Sequence, residues 1–559
     1  MPDILTLPNL AKKNESQSIR QLFENSGQIR IPAYQRAYSW EHKQCAQFLD
    51  DLVEQQGRKY YLGQILFEHE DEVLYIIDGQ QRLTTTVIFL SALVRIFELR
   101  GSESPGIKSV YLTDVFETIE DDQTIFKKIT RKHLVSSTED TETISQRRII
   151  EAFTYFRDEL DKLDVPTLET IGTTLENAVI STFFIASKIE ATQVFEYQNN
   201  RGKELSRFEV IKAYLMHQIH LQSTNVKQAN KDIAQVQQKM SRIYRYIEGV
   251  EGYFSENELL DNYCALFYNM PASVDAIKQH IARAQQQDRT AWIVLFFENL
   301  VDFCQSAKSV FNAKGRPEIS NLFFIGTEVN WKLVLLSMFY KGEVSGDLVS
   351  RIFKLLEILC FKLKLGDYRT DYLYKYTRRY FDPAENYSLE DLYGDIRNSA
   401  EFGFKDYWNH NGHFKNIITT HFEVNKHHYS KRKAIKFILW QYENEQRINN
   451  RSGLLLDKDL YDSYTIEHIC PQHPDGIVYS DIFKAEHLHR AGNLALLTQS
   501  QNSRFGNKSF DQKLELFQDT ALSSYTEIRH KLTWTELEIG DRHENIARFV
   551  RRYFEIEYI

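Results

Sequence analysis

Glu467 and His468 are adjacent. Asn493 follows 25 residues after the histidine, and Asn502 comes nine residues later. These residue types suit phosphodiester cleavage. That reaction needs a base for the attacking water, a cation against the developing charge, and an acid or metal at the leaving oxygen. His468 is the candidate base, because a neutral imidazole is at hand near neutral pH. Glu467 and Asn502 offer hard oxygen donors, which select Mg²⁺ or Mn²⁺. Asn493 is a candidate to orient the ring of His468 through its side-chain or backbone carbonyl. Lys513 is a candidate phosphate or stability contact. His473, His487 and His489 could form an alternative metal cluster. Mg²⁺ disfavours imidazole, however, and the thiolates of a zinc knuckle are missing.

These residues need elements to position them. Tyr464 to His468 is apolar and β-branched enough for a strand, and Pro471 follows. Gly492-Asn493 is a turn, Leu494 to Leu497 a second strand, and Asn502 falls on the helix after it. On an extended strand Glu467 and His468 point to opposite sides, so Glu467 joins the site only where the strand bends or ends. The expectation is a β-hairpin packed on a helix.

A second constellation lies near the N-terminus. The strand Val73 to Ile77 runs into Asp78-Gly79-Gln80-Gln81-Arg82, and a helix opens there with the apolar stripe Leu83, Val87, Leu90, Leu93, Val94 and Phe97. A strand that ends in a glycine turn and opens a helix gathers free N–H groups and a positive dipole end, a natural phosphate site. Arg82 adds a bidentate donor, and Asp78 a ligand for a metal or a sugar hydroxyl. No G-x-x-x-x-G-K-[ST] loop is present, so a nucleotide would bind through this other geometry. Tyr34, Gln35 and Arg36 come from one neighbouring loop and Asn199 and Arg201 from another, with Lys212 on the following helix. Tyr34, Tyr38 and Trp40 could stack on a base or line an apolar pocket, with Trp40 the best candidate for plain packing. Nucleotide contact and contact with a DNA modification stay open for this loop.

The chain has 559 residues, which calls for several cores. Expected divisions are an α/β domain over 1–220, a helical spacer over 221–420 and a nuclease domain over 421–559. In the first, 17–25 reads as a helix, Gln28 to Ile31 as a strand, and Trp40 to Gln56 as a helix capped by Ser39. Tyr61 to His69 and Val73 to Ile77 read as strands, 101–190 as a mostly helical excursion, and Arg207 to His220 as a helix. The net charge of −9 argues against a protein that coats nucleic acid. It leaves the basic runs Lys127–Lys132, Lys426–Lys433 and Arg548–Arg552 as solvated faces or local phosphate contacts. Five scattered cysteines fit a reducing compartment. The first residues carry no signal-peptide pattern and no apolar run is long enough to span a bilayer. A cytoplasmic protein without a membrane partner is expected.

The motifs Ile31-Pro-Ala-Tyr-Gln-Arg-Ala-Tyr-Ser-Trp40, Leu62-Gly63, Asp78-Gly-Gln-Gln-Arg-Leu-Thr84 and Asn199-Asn-Arg-Gly-Lys-Glu-Leu205 resemble the family with the DGQQR signature, itself similar to the ParB/sulfiredoxin fold. Glu467-His-Ile-Cys-Pro-Gln472, Gly492-Asn-Leu494, Asn502 and Ser509-Phe-Asp-Gln-Lys513 resemble an HNH (His-Me finger) nuclease domain with a ββα-metal core. Fused in one chain, they resemble the GmrSD and SspE type of modification-dependent (type IV) restriction and phage-defence proteins. Glu209 departs from the usual Asp, and Cys470 from the usual aliphatic residue. The resemblance implies an N-terminal domain that binds and hydrolyses GTP or another nucleoside triphosphate and senses modified or phage DNA. It also implies a C-terminal domain that nicks or cuts DNA, with four roles for Glu467, His468, Asn493 and Asn502. A nucleotide-binding adaptor with a vestigial nuclease is a competing reading, and a toxin-like nuclease acting on host nucleic acid is another. A homodimer or successive nicks would let one site cut both strands.

Overall fold

The computed structural model describes residues 15–32, 34–70, 73–102, 114–132, 141–185, 206–222, 226–283, 289–326, 330–368, 372–403, 414–450, 454–474, 478–518 and 521–556. The chain divides into two units, 1–308 and 309–559. The stretch expected as a separate helical spacer contributes helices to both. No helix among the described residues is long and apolar enough to cross a membrane.

The first unit is built on a mixed sheet of β1 (Glu15–Ser18), β2 (Gln28–Arg30), β3 (Tyr61–Glu70), β4 (Val73–Asp78), β5 (Phe116–Glu117) and β6 (Val179–Ile185), in the spatial order β1-β6-β3-β4-β2-β5. β2 runs parallel to β4 and β5, and β3 parallel to β6 but antiparallel to β4. Around it lie α1 (Ile19–Asn25), α2 (His42–Glu54), α3 (Gln80–Leu99), α4 (Glu120–Lys132), α5 (Ile144–Leu160) and α6 (Val165–Glu176). Then come α7 (Arg207–Gln222), α8 (Val226–Glu248), α9 (Glu256–Tyr268), α10 (Val274–Arg283) and α11 (Arg289–Asn312).

The expected stripe on α3 becomes a helix buried nearly all round, with Phe89 edge-on to Phe48 and Phe156. Its threonines survive burial because Thr84, Thr85 and Thr86 each donate to the carbonyl four residues back. Three readings need correction. Residues 15–18 form β1, paired antiparallel to β6, ahead of the expected helix. The 101–190 excursion supplies β5 and β6 to the sheet. Ser39 does not cap α2; a Glu41–Gln44 capping box does, and the Ser39 N–H donates to Gln81 Oε1.

The second unit is helical around one hairpin. α12 (Pro317–Ile325), α13 (Trp331–Tyr340), α14 (Asp347–Leu365), α15 (Tyr372–Phe381), α16 (Leu389–Phe402), α17 (Ile417–Val424) and α18 (Arg432–Asn449) lead to β7 (Tyr464–His468). α19 (Asp481–Glu486) and β8 (Leu494–Thr498) come next, followed by α20 (Gln499–Phe505), α21 (Phe510–Gln518), α22 (Thr526–Arg529) and α23 (Glu536–Tyr553). β7 and β8 are antiparallel, with His468 opposite Leu494 and Tyr464 opposite Thr498. The order β7, β8, α20 is the strand–strand–helix expected from the spacing.

Candidate active site

Helix α20 starts without a linker. Thr498, the last residue of β8, caps it in a reciprocal box with Gln501. That fixes Asn502 one turn into the helix, where its Nδ2 donates to Thr465 Oγ1 on β7 at 3.0 Å. Thr465 and Glu467 alternate onto one face of β7. The structure therefore brings Glu467 and Asn502 to the same side of the hairpin, and the Asn502 Oδ1 accepts no hydrogen bond from a described residue. A carboxylate and an amide oxygen suit a hard divalent cation, which keeps several waters of its own. The expected donor pair fits that group.

Glu467 is held by Lys513. The Lys513 ammonium, fully buried on α21, donates to Glu467 Oε1 at 2.6 Å and to the His468 backbone oxygen at 2.7 Å. Burial pushes the Glu467 carboxyl up and the Lys513 amine down, while their mutual attraction opposes both. Two short bonds to one ammonium favour the ionised pair. Lys513 thus ties the strand end to α21 and supplies positive charge beside the site.

His468 closes β7 with a ring only 4% exposed. Its Nε2 lies 3.1 Å from His489 Nδ1, and its Nδ1 lies 3.1 Å from the Gln472 amide nitrogen. The Tyr429 ring meets it edge-on at 4.5 Å. Burial lowers its pKa to about 3, helped by His489, Lys513, Arg432 and His427. Burial therefore favours the neutral imidazole, the form a base needs.

Asn493 departs from its expected role. Its Oδ1 accepts from the Cys470 N–H at 2.9 Å, and its Nδ2 donates to the carbonyls of Leu488 and Cys470. Its own backbone oxygen accepts from the Ile469 N–H at 2.8 Å. Fully buried, it staples the chain after β7 to the chain before β8, and it makes no bond to the imidazole. Gly492 is required by α23, since a Cβ there would stand 2.0 Å from the Ile539 oxygen. From the same helix buried Arg542 donates to the carbonyls of Gly492 and Leu494.

The alternative metal cluster is not formed. His487 packs on Phe483, and His489 lies against His468, His427 and Tyr429. Among the described residues no three His, Cys, Asp or Glu side chains form a group that could hold a metal ion. The sequence reading passed over Gln472, Arg542 and the wall formed by His427, Tyr429 and Arg432. The one visible signal for that wall was the basic run Lys426–Lys433, which the fold carries to His468. In the other runs, Lys127 pairs with Glu117, Arg131 with Asp114, Arg551 with Glu423 and Glu544, and Arg552 with Glu445.

In the first unit the loops after the parallel neighbours β2 and β4 meet at the C-terminal ends of those strands, where open α/β sheets place ligands. Gly79 takes φ +89° between β4 and α3. The glutamines and Arg82, expected at a ligand, instead build the scaffold. Gln80 donates to the Arg36 carbonyl, Gln81 to that of Ala37, and Gln35 to that of Ile77. Arg82 donates to the carbonyls of Leu62 and Gln64. It fills the space left by Gly63, where a Cβ would lie 1.9 Å from its guanidinium. Tyr38 is a core residue bonded to Thr85, Trp40 packs edge-on against Phe48, and Tyr34 packs on Leu66 and Ile77. Asn199 and Arg201 lie outside the described residues.

The groups left facing the end of β4 are charged. Burial raises the carboxyls of Asp78 and Glu256 and lowers the amine of Lys212. Glu209 acts on all three, and Arg36 on Lys212 and Glu256. The Lys212 ammonium is 4% exposed and has no hydrogen-bond partner among the described residues. A buried cation without a hydrogen-bonded anion is costly, although Glu209 and Glu256 act on it electrostatically.

Residues 19–216 match the family described as GmrSD restriction endonuclease, N-terminal domain. Residues 413–549 match GmrSD restriction endonucleases, C-terminal domain. The chain belongs to the GmrSD restriction endonuclease family. Each match falls on one of the two constellations, and the second spans Glu467, His468, Asn493, Asn502 and Lys513. A GmrSD-type chain is a restriction endonuclease of phage defence, and DNA is its substrate. No curated protein matches the sequence.

Proposed function

We propose that this GmrSD-type protein is a divalent-cation-dependent DNA endonuclease or nickase with an HNH-type site at β7, β8 and α20. In this reading a nucleoside triphosphate, GTP or another, binds in the first unit and controls cleavage of modified or phage DNA. The observation that carries the nuclease assignment is the hairpin-and-helix arrangement. It sets Glu467 and Asn502 on one face of β7 and ends that strand in a buried, neutral His468.

The roles follow from those positions. His468 takes the proton from the attacking water. Glu467 and Asn502 Oδ1 would hold Mg²⁺ or Mn²⁺, and that cation supplies charge against the developing phosphorane. Lys513 keeps Glu467 ionised and in place, and Arg432, stacked on Tyr429 at 4.3 Å, is placed for a phosphate oxygen. In the first unit Arg36, Lys212 and the open end of α3 would receive the triphosphate, with Asp78 available to its cation or sugar. Control of one unit by the other requires two states with different affinity for the triphosphate.

The test uses plasmid from modifying and non-modifying hosts, with Mg²⁺ or Mn²⁺ and each of the four triphosphates in turn. Cation-dependent nicking of one plasmid class, changed by a triphosphate, is expected. Triphosphate loss without nicking would make the protein an adaptor, and indiscriminate cutting would make it a toxin-like nuclease. Either result would overturn the proposal.

A further inference from the structure

We infer that His489, and not Asn493, is the residue that positions His468. It accepts the imidazole Nε2–H on its own Nδ1, which leaves His468 Nδ1, on the side where the Gln472 amide lies, as the basic nitrogen. This rests on the reading of His468 as the general base. The shorter contacts favour one tautomer. The Gln472 amide nitrogen can only donate; it lies 3.1 Å from His468 Nδ1 and 3.4 Å from Nε2, and the nearer Nδ1 is the better acceptor. The other ring nitrogen, Nε2, lies 3.1 Å from His489 Nδ1 and is then the donor of that pair. Asn493, the residue that the spacing put forward, has its amide engaged by the backbone at Cys470 and Leu488.

His489 is itself held in place. Its carbonyl accepts from the Tyr429 N–H at 3.3 Å. Its ring lies nearly parallel to Tyr429, and the His427 ring sits 4.2 Å from it. The short turn His428–Lys431 that carries Tyr429 leads directly into α18. An exposed loop histidine would have no reason for two ring neighbours and a backbone tether. A partner that must present one nitrogen at a fixed angle does, because an orienting partner acts by fixing the tautomer and ring orientation.

The test compares His489→Asn, His489→Gln and His489→Leu with wild type and with His468→Ala. Thermal unfolding establishes that each is folded, and plasmid nicking is measured under the condition that gives wild type its fastest rate. Asn places a polar atom where His489 has Nδ1, whereas Gln reaches one bond too far. Expected are a loss of roughly 10–100-fold in kcat for Leu and Gln, KM within about twofold, and substantial recovery with Asn. If Leu does not fold, Gln carries the comparison. Wild-type kcat in folded His489→Leu or His489→Gln beside an inactive His468→Ala would overturn the inference and leave the nuclease reading standing. An Asn variant folded yet as slow as Gln would overturn it too. Wild-type nicking by His468→Ala would instead remove the reading beneath it.

Discussion

Asn502 has one amide nitrogen committed to Thr465 and an oxygen free for a cation, so its chemistry separates cleanly by substitution. Asn502→Asp keeps an oxygen donor and is expected to cut with a shifted Mg²⁺ dependence. Asn502→Ala is expected to lose at least about 100-fold in nicking, with partial recovery at high Mn²⁺, consistent with the weight of one ligand at a metal site. A cation titration of both variants checks this. A second residue-scale prediction concerns stability. His421, His428 and His543 are packed together, and burial lowers their pKa values to about 4, about 2 and about 4. In the unfolded chain they titrate near 6.5. Folding therefore excludes protons that the unfolded state takes up, and the stability held above pH 6.5 drains away as pH falls toward the folded values. Each contributes about 1.4 kcal/mol per pH unit in that window. Urea unfolding of wild type and His428→Phe between pH 7 and 5 is expected to show a shallower pH dependence in the variant.

At the scale of elements, the site depends on helices far along the chain. α23 presses its backbone against Gly492 and anchors the Gly-Asn turn through Arg542, which also lies 3.3 Å from Glu527. Gly492→Ala forces a carbon to 2.0 Å from the Ile539 oxygen. It is expected to destabilise the protein by about 3 kcal/mol, the upper range for overpacking, and to abolish nicking. Urea unfolding and the plasmid assay together check this. Much of this scale was legible in sequence. The β7 and β8 runs and the helix bearing Asn502 were readable because residue type and turn chemistry specify them locally. Strand β6 was missed because it lies between helices and gains its identity only by pairing with β1 and β3. The roles of Arg82 against Gly63, Asn493 against Cys470 and His489 against His468 were hidden for a related reason. Spacing shows which residues can do chemistry, but which atom each one bonds is decided by contacts across long sequence separations.

For the whole molecule, the proposed triphosphate site falls in the first matched region and the proposed nuclease site in the second. Lys212 is the sharpest handle on the first unit, since its buried amine has no hydrogen-bond partner among the described residues. Lys212→Met is expected to weaken triphosphate binding by at least about tenfold, the weight of roughly 1.4 kcal/mol, with little loss of folding stability, because a buried polar group that makes no hydrogen bond is removed. Equilibrium binding of a fluorescent triphosphate analogue to wild type and variant, with a parallel urea melt, reports both quantities. Unchanged binding would detach Lys212 from the ligand and restore Arg82, Asn199 and Arg201 as the candidate anion contacts.

The proposed cleavage chemistry turns on one imidazole at the end of β7. The direct measurement is plasmid nicking by His468→Ala beside wild type, with thermal unfolding of both. The expected result is loss of cleavage by at least about three orders of magnitude, in keeping with removal of a general base and its tightly coupled partners, at an unchanged melting temperature. Wild-type nicking by a folded His468→Ala protein would contradict the account.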